Sequence, residues 1–195
     1  MDHASTPASE RDAADSARAR TADEIRLPAD ALRRLSRLCD ELGTGSVAVL
    51  REAGRAAGRS LVATLPGSDA APQLDVDRFW TGLGGAAEDA GYGRVEYRVL
   101  EADVGEVELR HSPEAGADGP GGGLPPGGCH FAAGWIGGAL SAAAGEPVAV
   151  LEVQCAAEDD AAACRFLVGE ESRLEEIRRT LRAGGRTVDE ALADR

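Results

Sequence analysis

The sequence predicts an α+β fold, a single domain in which an antiparallel sheet of two hairpins packs against a helical layer. Residues 94–100 and 104–110 alternate apolar and polar side chains, which is the period of paired strands with one wet face. Two further apolar runs, 148–153 and 164–168, are rich in valine and predict the second hairpin. Leucines recur at helical spacing in other parts of the chain.

Composition limits what the protein can do. The chain has 195 residues, which is enough for one domain with a core and tails. Its formal charge is −13 and all 21 basic residues are arginine, so chemistry that needs a lysine is excluded. The acidic balance argues against direct nucleic-acid binding. No apolar run is long enough to span a membrane and the N-terminus lacks the pattern of a signal peptide, so we expect a cytoplasmic protein without membrane insertion.

The chain divides into three regions. Residues 1–22 have almost no large apolar side chain and are predicted to be a disordered tail. Residues 23–183 form the ligand-binding domain, and residues 184–195 form a C-terminal tail or a weak helix. This last stretch either packs on the domain or pairs with a second copy, and we expect a homodimer.

Five helices are predicted within the domain. The first has four leucines at helical spacing, at positions 32, 35, 38 and 42. Asp30 is placed to cap its start and Gly43 to end it. The other four predicted helices are Ser46–Leu65, Val76–Ala90, Phe131–Ala144 and Glu170–Leu181. Between the hairpin and the fourth helix, Pro113–Gly128 is rich in glycine and proline and predicts an irregular loop.

Two glycine patterns have different interpretations. Gly54 and Gly58 lie four residues apart in a helix, where glycine is costly, so they indicate close approach by another backbone or by a ligand. Residues 82–87 fit the loose dinucleotide pattern G-x-G-x-x-A. Charged residues interrupt the run that would have to form the strand before it, so we expect no nucleotide site there.

Three cysteines and a glutamate form a candidate metal site: Cys129, Glu152, Cys155 and Cys164. Cys129 precedes a predicted helix, and Cys155 and Cys164 flank the turn of a predicted hairpin. Three thiolates and one carboxylate suit tetrahedral zinc, and a site filled by protein ligands is structural. The C-x2-C spacing of strong zinc motifs is missing, so a cross-strand disulfide or inert buried thiols are the alternatives. Cys39 is interpreted as a small core residue.

The same stretch resembles a known family. Its order of motifs is similar to that of the 4-vinyl-reductase-type domain. The order is a cysteine, a helix with Gly-x-x-Gly, a valine-rich strand ending in Glu-x-x-Cys, an acidic loop and then Cys-x-Phe. The resemblance covers about Asp23 to Arg182 and includes the Gly-Arg-x-x-Gly stretch from Gly54 to Gly58. The loop before Cys164 lacks a glycine that the family pattern has. In the family's sensory modules the corresponding residues bind zinc, which implies zinc at the four candidate ligands.

The resemblance implies three functions. The first is a stand-alone sensor-type domain that binds a hydrophobic or aromatic small molecule, as in the sensory modules of aromatic-responsive transcription activators. The second is a tetrapyrrole (bacteriochlorophyll) 4-vinyl reductase or its accessory protein. The third is a lipid-binding or protein-interaction module like the TRAPP trafficking subunits, to which the family is related in fold.

No catalytic constellation is evident in the sequence. His111 and His130 are the histidines outside the predicted tail, and no catalytic motif surrounds them. His130 is an alternative zinc ligand because it is adjacent to Cys129. An apolar ligand pocket is expected between helices and sheet, lined by Trp80, Val99, Leu109, Trp135 and Val150.

Overall fold

The computed structural model describes residues 27–65, 75–115, 128–157, 161–184 and 187–193. The predicted tail 1–22 and the acidic turn at 158–160 lie outside these residues, as does most of the predicted loop 113–128. In chain order the elements are α1 (Ala29–Leu42), α2 (Thr44–Ala63), α3 (Val76–Asp89), β1 (Arg94–Val99), β2 (Val104–Arg110), α4 (His130–Ala144), β3 (Ala149–Gln154), β4 (Cys164–Gly169), α5 (Glu171–Arg182) and α6 (Val188–Ala193).

The four strands form one antiparallel sheet in the order β1-β2-β4-β3. This confirms the α+β class and the sheet of two hairpins. Strands β2 and β4 join the hairpins, with Val107 opposite Phe166 and Leu109 opposite Cys164. Side chains alternate between the faces, so Val107, Leu109 and Phe166 all enter the main core.

Helices α3 and α4 cover one face of the sheet, α2 packs on the outer side of α4, and the three helices build the main core with the sheet. The contact between α2 and α4 is the most extensive between any two described elements. A Cβ at Gly58 would overlap the carbonyl oxygen of Trp135, and one at Gly138 would overlap that of Arg55. The glycines therefore bring two helix backbones together, which was one of the two interpretations of their spacing.

The second face of the sheet is also covered, which the sequence prediction of one helical layer did not include. Helices α5 and α6 pack a second cluster over it, in which Leu174, Ile177 and Leu192 meet Val104 and Leu167. The prediction of one wet face is therefore wrong for β2, whose residues are mostly buried. Ion pairs also lie on this face, among them those of Glu106.

Glu106 illustrates that pairing. Its side chain is 0% exposed and lies between Arg98 Nη2 and Arg165 Nη2, each 2.6 Å from a carboxylate oxygen. Two arginines from the flanking strands thus compensate the burial of this carboxylate.

One local prediction needs correction. Helix α1 begins at Ala29, so Asp30 lies inside its first turn and pairs with Arg33 instead of capping the start. Helix α4 is buried on all sides along its middle, since every residue from Ala132 to Ala139 is buried. The reason is that α2 packs on one side of α4 and the sheet on the other. Gly43 does end α1, with φ of 91°.

Candidate metal centre

The four predicted metal ligands come from three elements that meet at one end of the sheet. Glu152 pairs with Phe166 across β3 and β4, and Phe166 faces the main core. A register shift follows Glu152, and Cys155 comes directly after β3. Cys164 opens β4, while Cys129 is the N-cap residue of α4. The hairpin and the helix therefore bring together residues up to 35 positions apart.

The ligand atoms of Cys129, Glu152, Cys155 and Cys164 all lie within 4.8 Å of one another. Cys129 Sγ is 3.7 Å from Cys155 Sγ and 3.5 Å from Cys164 Sγ. A tetrahedron with metal–sulfur bonds of about 2.3 Å has an edge of roughly 3.8 Å. The sulfur separations are therefore close to those that one tetrahedral ion requires.

The surroundings of these four residues also fit a metal. Cys129 N donates a hydrogen bond to Glu152 Oε2 at 3.1 Å, while Glu152 Oε1 is buried and has no hydrogen-bond partner among the residues that the structure describes. Ala156 N donates to Cys164 Sγ at 3.4 Å, a contact that favours the thiolate. All four cysteines of the chain are free thiols. The cluster could thus hold a metal ion, and His130 is not one of its four ligands.

The pKa values of the groups in the cluster are shifted in different directions. Hydrogen bonds with Cys129 and Cys155 lower the pKa of the Cys164 thiol to about 4. Hydrogen bonds with Cys155 and Cys164, followed by burial, raise the pKa of the Cys129 thiol well above its usual value. Burial raises the pKa of the Glu152 carboxyl to about 8. A cation bound by these groups would have to displace such protons, so its affinity should rise with pH.

A buried carboxylate supports the helix that carries Cys129. Glu114 Oε2 accepts a hydrogen bond from Ala132 N at 2.6 Å, and Oε1 accepts from Phe131 N at 3.0 Å. Ser36 Oγ of α1 donates to the same Oε1 at 3.0 Å. Glu114 thereby satisfies two of the free N–H groups in the first turn of α4, a role that usually belongs to the N-cap side chain. Cys129 makes no side-chain cap, which leaves its sulfur free for the cluster.

Sequence reasoning missed Glu114 and placed it in an irregular loop. The residue lies 17 positions before Phe131 and 78 after Ser36, so no local pattern connects them. Arg51 of α2 was missed too. Burial and the nearby Arg55 lower the pKa of the Arg51 guanidinium, while Glu152 and Glu114 act in the opposite direction. Its positive charge is thus close to both carboxylates.

The five predicted ligand-lining residues do not share one environment. Leu109 and Trp135 are buried in the main core, and Trp80 and Val150 pack against it. Trp80 stacks on Tyr97 with ring centroids 4.1 Å apart. Val99 is 67% exposed near the end of β1 and takes no part in that core. Four of the five thus lie in or against the core between α3, α4 and the sheet, and their role in binding stays a prediction.

A separate cleft opens where β1 begins and β2 ends, at the same end of the sheet as Cys164. It has a volume of about 300 Å³ and is lined by Glu88, Gly91, Gly93, Arg94 and His111. None of the predicted ligand residues lines it. His111 has φ of 57°, in the left-handed region that residues other than glycine rarely adopt.

Comparison with known proteins supports the fold. No family model and no curated protein matches the chain. Among solved structures, it is similar to the phenol-responsive sensory domain of the transcription activator PoxR, solved with phenol. That match has a TM-score of 0.62 at 20% identity and covers 93% of this chain and 100% of the other. It confirms the fold relationship that the sequence resemblance implies.

Two further solved structures match less well. A vinyl-4-reductase family protein from Methanocaldococcus jannaschii matches with a TM-score of 0.47 at 19% identity, covering 76% of this chain and 84% of the other. Subunit 3 of the trafficking protein particle complex from Naegleria fowleri, covalently bound to palmitic acid, matches with a TM-score of 0.47 at 14% identity. This match covers 71% of this chain and 93% of the other.

Within the described ranges, no helix has the length and apolar character needed to cross a bilayer.

Proposed function

We propose that this chain is a small-molecule sensor domain with a structural zinc ion bound by Cys129, Glu152, Cys155 and Cys164. The observation that carries the proposal is the convergence of three thiols and one carboxylate within 4.8 Å, in a fold shared with a phenol-responsive sensory domain. The donor set favours zinc, which accepts sulfur and oxygen ligands together. A cytoplasmic location is part of this proposal, because reduced thiols are maintained there.

The proposed zinc is structural because all four positions are protein ligands, which leaves no place for a reacting water. When bound, it would join the start of α4 to the ends of β3 and β4. Trp135 lies in α4 and Val150 in β3, so the ion would fix two sides of the space in which we expect the ligand. This arrangement suits a binding domain in which one end of the pocket is held rigid.

The ligand we propose is hydrophobic or aromatic. Leu109, Trp135, Trp80 and Val150 are apolar side chains in or against the main core, and only the indole nitrogens bring polar groups to this set. Such a lining favours apolar contact, with few hydrogen bonds to fix orientation.

A thermal-shift screen of the zinc-loaded protein tests the proposal. Phenols, fatty acids and tetrapyrroles serve as probes, and a ligand a hundredfold above its dissociation constant should add about 2.7 kcal/mol to the free energy of unfolding. Stabilisation by phenols alone supports the sensor. A fatty-acid hit would favour a lipid-binding module, a porphyrin hit the tetrapyrrole role, and turnover of a vinyl tetrapyrrole with a nicotinamide reductant would overturn the binding-domain proposal.

Two matched variants locate the binding site. Val150→Phe adds a ring to the space between β3 and α4, where the Val150 side chain already approaches Gly137. It should weaken phenol binding about tenfold, or about 1.4 kcal/mol. Val99→Phe makes the same change at a position 67% exposed and should leave the affinity unchanged. Equal effects of both variants would contradict the proposed location.

A further inference from the structure

Arg51 of α2 has a positive charge that its nearest arginines do not share with a common partner. Its side chain is partly buried, and within the described part of the chain its Nε has no hydrogen-bond partner. Arg55 and Arg178, which both act to lower the pKa of the Arg51 guanidinium, are already paired with Glu52 and Glu175. Burying a cation without a partner is costly, so a compensating negative charge is expected near Arg51.

The packing of α2 on α4 directs Arg51 toward the candidate metal centre. A Cβ at Gly134 would overlap the carbonyl oxygen of Arg51, and one at Gly138 would overlap that of Arg55, so the two helices run parallel. Side chains on a helix lean toward its N-terminus. Arg51 therefore leans from the level of Gly134 toward the start of α4, where Cys129 is the N-cap residue.

The carboxylates at that end of α4 attract the Arg51 guanidinium. Glu152 and Glu114 both act to raise its pKa, against the effect of burial. Glu152 is a candidate metal ligand, and Glu114 binds two N–H groups in the first turn of α4. The direction of the side chain and the charges around it thus agree.

An occupied metal centre would provide the negative charge that Arg51 lacks. Three thiolates and one carboxylate around a divalent ion leave two negative charges in excess. Cys129, Cys155 and Cys164 are 0%, 4% and 0% exposed, so water screens the charge of their sulfur atoms poorly. A buried excess of negative charge is stable only when a cation of the protein lies close to it.

We propose that Arg51 is the counter-cation of the metal centre, a positioning residue that stabilises the bound ion by compensating the charge of its ligands. This inference rests on the proposed zinc site, and it adds α2 to the three elements that provide the ligands. Arg51 touches the backbone of α4 at Gly134, so the close contact of the two helices also brings this charge to the ligands.

The zinc affinity of the full chain, measured by competition with a chromophoric chelator under reducing conditions, tests the proposal. Arg51→Gln removes the charge and should weaken zinc binding about tenfold or more, the usual cost of losing an outer partner of metal ligands. Arg51→Lys keeps the charge and should bind zinc nearly as tightly as the wild type. Arg59→Gln removes the same charge from an exposed position about 12 Å further along α2, beyond the screening length, and should leave the affinity unchanged.

Thermal unfolding with and without zinc separates a charge effect from a packing effect. Without metal, Arg51→Gln should be about as stable as the wild type, because no ligand charge is there to be compensated. With saturating zinc it should gain less stability, by about 1.4 kcal/mol for each tenfold loss of affinity. An Arg51→Gln variant that is unfolded without zinc would show a packing role and overturn the proposal.

The same titrations distinguish this proposal from the zinc site on which it rests. A wild type that binds no zinc would refute the metal centre itself. A wild type that binds one zinc ion, together with an Arg51→Gln variant of equal affinity, would refute the counter-cation alone. Equal losses in Arg51→Gln and Arg59→Gln, or an Arg51→Lys variant as weak as Arg51→Gln, would also contradict the role of this charge.

Discussion

At the scale of single residues, Glu114 connects three parts of the molecule. It accepts hydrogen bonds from Ser36 in α1 and from Phe131 and Ala132 in α4. Burial raises the pKa of its carboxyl to about 7, although these hydrogen bonds act to lower it. The ionised carboxylate therefore costs the folded state more than it costs the unfolded chain.

Glu114 should make stability depend on pH. Its pKa is about 7 in the folded state and 4.5 as the reference value, so its contribution is complete below about pH 4.5 and is lost as pH rises through 7. Glu114→Gln cannot titrate. The difference between the two unfolding free energies, wild type minus variant, should thus fall by about 3 kcal/mol between pH 4.5 and 8. Denaturant unfolding of both proteins measures it, and a difference that rises with pH would contradict the assignment.

Cysteine substitutions should separate the metal centre from the ordinary core. Cys155→Ser removes one of four clustered ligands, so it should abolish stoichiometric zinc binding and lower the melting temperature. Cys39→Ser changes another buried cysteine, one that packs with Leu32 and Leu50. It should cost some stability and leave the zinc content at one per chain. Elemental analysis beside thermal unfolding measures both, and equal zinc loss in the two variants would refute the ligand assignment.

At the scale of elements, the contact between α2 and α4 determines where the start of α4 lies. Gly54 and Gly58 of α2 face Gly134 and Gly138 of α4, and a Cβ at any of the four would overlap backbone of the opposite helix. The helices are thus closer than ordinary side chains permit. Cys129 precedes α4 directly, so this contact also positions a candidate metal ligand.

Two glycine substitutions in α2 should have opposite effects. Gly58→Ala forces two backbones apart and should lower the free energy of unfolding by about 3 kcal/mol. Gly45→Ala lies in the same helix with nothing within 4 Å of the new Cβ, and should raise stability by up to about 1 kcal/mol. Chemical denaturation compares the two. Similar stabilities for both variants would contradict the close packing.

The elements could be predicted from the sequence because they depend on local periodicity. Alternation predicted β1 and β2, and leucine spacing predicted α1 and α5 to within a few residues. The four clustered ligands were also predicted, since one short stretch contains them all. The role of Glu114 and the second helical layer were not, because both depend on contacts between distant residues. Asp30 was wrongly predicted to be the cap, because the start of a helix can shift by one residue without changing the leucine spacing.

At the scale of the whole molecule, the sheet lies between two helical clusters with different tasks. The α2–α4 side contains the candidate metal ligands and four of the predicted ligand residues. The other side is closed by α5 and α6, which are fixed by Arg173 through hydrogen bonds to Glu101 and the Leu192 carbonyl. The candidate metal ligands and these four predicted ligand residues thus lie on one side of the sheet.

Native mass spectrometry of protein purified from its own host under reducing conditions tests the central claim most directly. We predict the mass of the chain plus one zinc ion, with a hydrophobic small molecule in part of the population. The zinc should disappear when the sample is acidified, since acid protonates the thiolate ligands. Freshly reduced, folded protein that carries no zinc and takes up none at neutral pH would contradict the account.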